Sequence, residues 1–209
     1  MLVVVEHVSK SYENNAVLRD VSLSLEAGKI HGIIGRNGSG KSQLLKIICG
    51  FIPPDSGCVK VNHQWVGRDV DFPEDSGILI ETPGFCPSMS GYQNLRLLAG
   101  IRGKCTPERI AKVMQQVGLD PSARKHVSKY SSGMNQRLGI AQAILEDPTF
   151  LVFDEPMNCL DVDGVEEMRR LFMGLRERGK TILLTSHNAE DIDLLCDTVH
   201  RMEKGTLVS

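Results

Sequence analysis

Ile30-His31-Gly32-Ile33-Ile34-Gly35-Arg36-Asn37-Gly38-Ser39-Gly40-Lys41-Ser42 reads as a short apolar strand running into a glycine-rich turn. The octet from Gly35 to Ser42 has the spacing G-x-x-x-x-G-K-[ST] of a loop that wraps phosphate. By composition, a chance match in a chain this long is on the order of 1%, so the motif decides the class of fold. Glycines 38 and 40 let the backbone curl until successive N–H groups point inward, and the helix start that follows adds its partial positive charge. Lys41 is placed to reach β- and γ-phosphates, and the Ser42 hydroxyl to ligate magnesium.

Outward from this loop, strands alternate with helices. Residues 2–8 and 17–25 read as strands, and Ile30–Ile34 as a buried parallel strand. A helix is expected over 41–49, ended by Gly50 and Pro53-Pro54-Asp55, with further strands at 58–61 and 77–80. From Thr82 to about Lys129 the pattern is helical, with Leu95, Leu98 and Ala99, then Ile110, Val113, Met114 and Val117, at helical spacing and no strand between. A third long helix is expected over 131–146. Alternation then resumes: a strand at Phe150–Phe153, a helix over 162–178, a strand at 181–185, a helix at Ala189–Leu195 and a closing hairpin around Lys204-Gly205. The expectation is a single α/β domain with a helical lobe inserted.

Phe150-Leu151-Val152-Phe153-Asp154-Glu155 places two carboxylates at the C-terminal end of an all-apolar strand, where open α/β sheets hold their ligands. Asp154 suits magnesium through water, and Glu155 suits orienting a water in line with the γ-phosphate. Alone, a strand ending in Asp-Glu is a solvated strand end; beside the phosphate loop it is a candidate catalytic pair. Asp161-Val162-Asp163-Gly164 fits the D-x-x-G element of guanine-nucleotide switches. The base-selecting Asn-Lys-x-Asp is missing, however, because Asn158-Cys159-Leu160-Asp161 lacks the lysine.

Composition narrows the partners. In 209 residues, 24 Lys plus Arg stand against 26 Asp plus Glu, a formal charge of −2 without the basic excess that nucleic-acid binders carry. No run reaches the ~18 apolar residues of a membrane-spanning helix, and the start, Met1-Leu2-Val3-Val4-Val5-Glu6, lacks the basic lead of a signal peptide. Six scattered cysteines without a CxxC pair are read as free thiols in a reducing cytosol.

Lys129-Tyr130-Ser131-Ser132-Gly133-Met134-Asn135-Gln136-Arg137-Leu138, upstream of Asp154, resembles the L-S-G-G-Q signature segment of ATP-binding-cassette ATPases. The resemblance covers the whole chain. Tyr12 stands where that family stacks an aromatic on adenine, although an exposed turn tyrosine is the alternative. Asn158-Cys159-Leu160-Asp161 is similar to its D-loop, and Thr185-Ser186-His187 to its switch histidine. Asp161 also suits the N-cap of the next helix. His31, inside an apolar strand, is read as structural.

The resemblance implies a P-loop α/β fold with a mainly parallel central sheet, an antiparallel β subdomain and a helical subdomain. The ATPase core would be 1–81 and 134–209, and the signature lobe 82–133. It implies ATP and magnesium as cofactors, with ATP bound by Tyr12, Gly35, Asn37, Gly38, Ser39, Gly40, Lys41, Ser42, Gln43, Ser131, Gly133 and Asp161. Magnesium would be held by Ser42, Glu81 and Asp154, and catalysis carried by Glu155 and His187. The implied partners are a second ATPase subunit and a membrane permease, with no nucleic acid, and the implied location is the cytoplasmic face of the membrane. Departures from the family pattern are specific: Ser132 replaces a signature glycine, Met134 its glutamine, and Glu81 the usual glutamine of the Q-loop. Glu81, Pro83-Gly84-Phe85 and the Tyr-Ser-x-Gly-Met signature resemble the branch serving bacitracin-type and lantibiotic-type peptide export and self-protection. Phe85 is expected to be exposed for a permease contact. A soluble cassette acting on nucleic acid would need a long coiled coil between Ser42 and Ser131, and no sustained heptads are present.

Overall fold

The computed structural model describes residues 1–13, 15–81, 83–103 and 105–208, so Thr82, the expected start of the helical lobe, lies outside the described residues. Strands β1 (Val3–Tyr12) and β2 (Asn15–Leu25) form a long hairpin, and β3 (Ile30–Ile34) runs into helix α1 (Lys41–Ile48). β4 (Ser56–Val61), β5 (Gln64–Trp65) and β6 (Ser76–Leu79) follow. Helices α2 (Gly91–Arg102) and α3 (Pro107–Gln116), a 3₁₀ turn at Val127–Lys129 and helix α4 (Ser132–Ile144) come next. Then come β7 (Phe150–Phe153), α5 (Val162–Glu177), β8 (Thr181–Ser186), α6 (Ala189–Leu195), β9 (Thr198–Glu203) and β10 (Thr206–Val208).

The strands form two sheets, one in the order β2-β1-β4-β5 and the other β10-β9-β3-β8-β7-β6. The first is antiparallel; the second is parallel from β9 to β6, with β10 antiparallel at its edge. Both faces of the parallel sheet are covered, which is why its strands read as unbroken apolar runs. Phe150, Val152, Leu183 and Ile33 pack with α1 and the antiparallel sheet, whereas Leu151, Phe153, Ile182 and Leu184 pack with the helices of the lobe and α5. Phe153 stacks on Phe172 of α5 with ring centroids 4.9 Å apart. β6 and α4 approach so closely at Gly77 that an added Cβ would lie 1.9 Å from the Ala143 carbonyl oxygen.

Helix ends follow local chemistry. Ser90 caps α2 in a reciprocal box with Gln93, Thr106 caps α3 with Pro107 at its first position, and Ser131 caps α4 by accepting from the Met134 amide. Asp161 accepts from the Gly164 amide at 3.0 Å and starts α5. All six cysteines are free, and burial pushes the Cys49 and Cys196 thiols up to about 12, leaving them unreactive near neutrality.

Two expectations are corrected and one short strand is added. β1 extends to Tyr12 rather than stopping at residue 8, because pairing with β2 carries the polar run Ser9–Tyr12 past the apolar pattern. The short β5 follows a tight turn at Asn62 and His63, both at positive φ. Phe85 is half-buried against the core of the helical lobe instead of exposed, because the chain after Glu81 folds back onto α4.

Candidate functional site at the strand ends

Register decides which residues meet. Ile34 pairs with Ser186, Leu184 with Phe153 and Phe153 with Leu79, so β3 and β8 end level with each other, and β7 and β6 end level with each other two residues earlier along the sheet. One residue further on stand Gly35, His187 and Asp154-Glu155, with Glu81 two residues beyond β6. The segments expected to carry chemistry thus emerge along one carboxyl edge, the ligand-binding edge of an open α/β sheet.

Lys41 is buried, and its ammonium donates to the Gly35 carbonyl oxygen at 2.7 Å. Its Nζ also lies 3.3 Å from Glu155 Oε1. The loop adopts conformations that side chains resist, with φ of +79° at Gly38 and +110° at Gly40. A Cβ on Gly40 would lie 2.9 Å from Leu18 Cδ2. The Ser39 hydroxyl is buried without a hydrogen-bond partner among the described residues, a donor waiting at the loop that a phosphate oxygen would satisfy. The cleft here has a volume of about 500 Å³ and is lined by the loop, Ser42, Gln43 and Glu155. A cradle of backbone amides, a buried cation and hydroxyl groups fits a magnesium-bound polyphosphate.

The acidic pair is held from β8. Thr185, fully buried, donates its hydroxyl to Asp154 Oδ1 at 2.6 Å and accepts from the Glu155 amide at 2.9 Å. His187 Nδ1 stands 2.8 Å from Glu155 Oε2, and the His187 amide donates to the same oxygen at 3.2 Å. Glu155 sits at φ +49°, which turns its side chain back over the strand end. Gln136 of α4 donates to the Pro156 carbonyl oxygen at 3.0 Å, joining the signature helix to this segment.

Sequence reading missed Thr185 and Gln136 as parts of the site. The Ser/Thr before a switch histidine and a polar residue one turn into α4 were visible, but only the sheet register shows what they touch. Tyr12 donates its hydroxyl to Gln43 Oε1 at 3.0 Å, and Lys10 lies 5.5 Å from the ring centroid of Tyr12. Its ring is 44% exposed at the rim of the phosphate cleft. Glu81 is exposed, at φ +63°, and its carboxylate pairs with Lys46 of α1 at 2.5 Å. Ser131, Gly133 and Asp161 do not line the phosphate cleft. They form a second group, in which Gly133 lies so close to the D-loop that a Cβ would be 2.8 Å from the Cys159 carbonyl oxygen.

A family model described as ABC transporter matches residues 18–158. The chain belongs to the ABC transporter family. Over 206 residues it is 37% identical to the uncharacterized ABC transporter ATP-binding protein YybJ of Bacillus subtilis (strain 168), covering 99% of this chain and 94% of that protein. It is 38% identical to the bacitracin transport ATP-binding protein BcrA of Enterococcus faecalis, over 97% of this chain and 67% of that protein. The lantibiotic transport ATP-binding protein SrtF of Streptococcus pyogenes is 31% identical over 98% of this chain and 88% of its own length. In fold, the chain matches the ATP-binding cassette MJ0796 bound to ADP and Pi with a TM-score of 0.89, at 22% identity, covering 99% of this chain and 97% of that one. This cassette is therefore an ATPase, the ATP-binding subunit of an ABC transporter.

Proposed function

We propose that this cassette hydrolyses ATP at the strand-end site and drives a separate permease that moves or expels peptide antibiotics. The observation that carries the catalytic part is the Glu155 carboxylate, fixed between Lys41 at 3.3 Å and His187 at 2.8 Å. Lys41 and the loop amides bind the β- and γ-phosphates, Gly35, Asn37, Gly38, Ser39, Gly40 and Gln43 complete the cradle, and Tyr12 stacks on adenine. Ser42, Asp154 and Glu81 would hold a magnesium ion, which when bound would neutralise phosphate charge and polarise the γ-phosphate. Thr185 keeps one Asp154 oxygen turned away and leaves the other free for the ion. Glu155 accepts a proton from the attacking water, while His187 holds its second oxygen and faces the γ-phosphate.

Ser131, Gly133 and Asp161 then belong to the site of a second subunit, which is why they line no part of the phosphate cleft of their own chain. The core spans 1–81 and 134–209, and the lobe 82–133 meets the permease. Among the described residues no helix is long and apolar enough to cross a membrane; in this reading the cassette meets the membrane through the permease, at the cytoplasmic face. The peptide cargo rests on similarity to the bacitracin and lantibiotic proteins and on Glu81 in the Q-loop position.

The test is Glu155→Gln, which keeps shape and loses the base. ATP should still bind and an ATP-loaded dimer accumulate in light scattering, while turnover drops ~10²-fold or more. Near-normal hydrolysis would falsify the catalytic assignment. Cargo class is read by deleting the gene and comparing growth inhibition by bacitracin, a lantibiotic and a non-peptide antibiotic.

A further inference from the structure

We propose that Lys46 is a positioning residue for nucleotide binding: it pairs with Glu81 so that a carboxylate in the Q-loop position can stand beside a triphosphate. The proposal rests on the reading of Glu81 as a magnesium ligand and adds to it a partner that sets the charge of that ligand.

Lys46 Nζ contacts Glu81 Oε1 at 2.5 Å, joining the last turn of α1 to the segment that follows β6. Ser42 and Lys46 lie one helical turn apart on the same face of α1, about 6 Å along the axis. Side chains on a helix lean toward its N-terminus, so the lysine stem leans toward the Ser42 end, where the phosphate loop closes. Glu81 takes a positive φ two residues past β6, just beyond the point where the Asp154 amide donates to the Leu79 carbonyl oxygen at 2.8 Å. Lys46 is mostly covered by protein, whereas Glu81 is mostly exposed. The lysine is thus the fixed partner and the glutamate the adjustable one.

Charge arithmetic gives the pair its purpose. A lone carboxylate near the γ-phosphate repels it, and Lys41 is already shared between the loop carbonyls and Glu155. An ammonium on Glu81 makes the pair close to neutral, so the position presents an oxygen ligand without a net negative charge. One carboxylate oxygen serves Lys46, and the other remains for the metal.

The experiment is a double-mutant cycle on the purified cassette, read by fluorescence titration of a ribose-labelled ATP in EDTA and in magnesium. Lys46→Met should weaken binding in EDTA by roughly 3- to 10-fold, the repulsion of one unscreened charge several ångströms away. Lys46→Arg should restore it. In a Glu81→Gln background, Lys46→Met should have no further effect on binding in EDTA. An equal loss from Lys46→Met in both backgrounds would overturn the proposal, because the lysine would be acting on phosphate or on folding. So would wild-type affinity in Lys46→Met. The underlying reading fails separately: identical magnesium midpoints in wild type and Glu81→Gln would remove Glu81 from the metal site whatever the cycle shows.

Discussion

The strand-end cluster and the signature end of α4 carry the same kind of residue, small hydroxyls and glycines, yet they are built oppositely. At the strand ends Lys41 and Thr185 are buried, Asp154 is gripped from β8 by Thr185, and Glu155 is held between Lys41 of α1 and His187 just past β8. At the signature end Ser131, Ser132, Cys159 and Asp161 are exposed, and Val162 is 81% exposed. The first group is drawn together from several strands and α1; the second presents capped helix ends to solvent and meets no part of the phosphate cleft among the described residues. Stability and chemistry should therefore separate: damage to the first costs folding as well as turnover, and damage to the second costs mainly assembly.

The largest expected effect is at Lys41. Lys41→Met should lower ATP affinity at least ~10-fold, since a buried cation facing phosphate is lost and Glu155 keeps an uncompensated charge. Isothermal titration with magnesium-ATP measures it; unchanged affinity would mean that the loop binds by amides alone. Next comes Ser131→Arg, which should abolish the ATP-driven dimer in light scattering while moving the monomer's Tm only by the loss of one helix cap, about 1 kcal/mol. A large loss of monomer stability would erase the contrast between the two regions. Thr185→Val should cost about 1–3 kcal/mol in denaturant unfolding, because Asp154 and the Glu155 amide are both left unpaired, and Thr185→Ser should recover most of it.

Most of the fold was legible because its signals were local. An apolar run, a glycine-rich octet and helical spacing fix element type, and the two-faced parallel sheet follows from strands such as Phe150–Phe153 with no polar position. The phosphate loop and Asp154-Glu155 could be read as a site for the same reason. What could not be read depended on register and on chain direction after a strand. Thr185 bonds two residues of β7 only because β8 runs beside it in this register, and Lys46 meets Glu81 only because Glu81 takes a left-handed turn. Phe85 was misjudged because a Pro-Gly-aromatic sequence does not say on which side the chain folds back.

The smallest effect concerns β3, the strand that feeds the phosphate loop. His31 is buried, with Nδ1 2.5 Å from Thr198 Oγ1 and Nε2 2.9 Å from the Glu26 carbonyl oxygen. Burial holds its imidazole below the ordinary 6.5, and burial does the same at His200 nearby. In the window below 6.5 the unfolded chain takes up a proton that the folded chain refuses, so stability falls as pH falls. His31→Gln should flatten that slope by up to about 1.4 kcal/mol per pH unit, seen as converging urea midpoints between pH 7.5 and 5.5. Parallel curves would mean that the strand feeding the loop is indifferent to acid.

Gly77 has a mechanical consequence. With no side chain there, α4 is pinned to β6 near Ala143, close to its C-terminal end, while Ser132 at the other end lies roughly 17 Å away at 1.5 Å per residue. A rod seated that tightly at one end, and tied near the other by the Gln136 hydrogen bond to the Pro156 carbonyl oxygen, passes any tilt at its seat on to that bond. A tilt of about 5° at that pivot carries the tip through ~1.5 Å, enough to make or break a hydrogen bond at the far end. Any side chain at Gly77, even a methyl group, would jack the rod off its seat and misplace the tip without touching it.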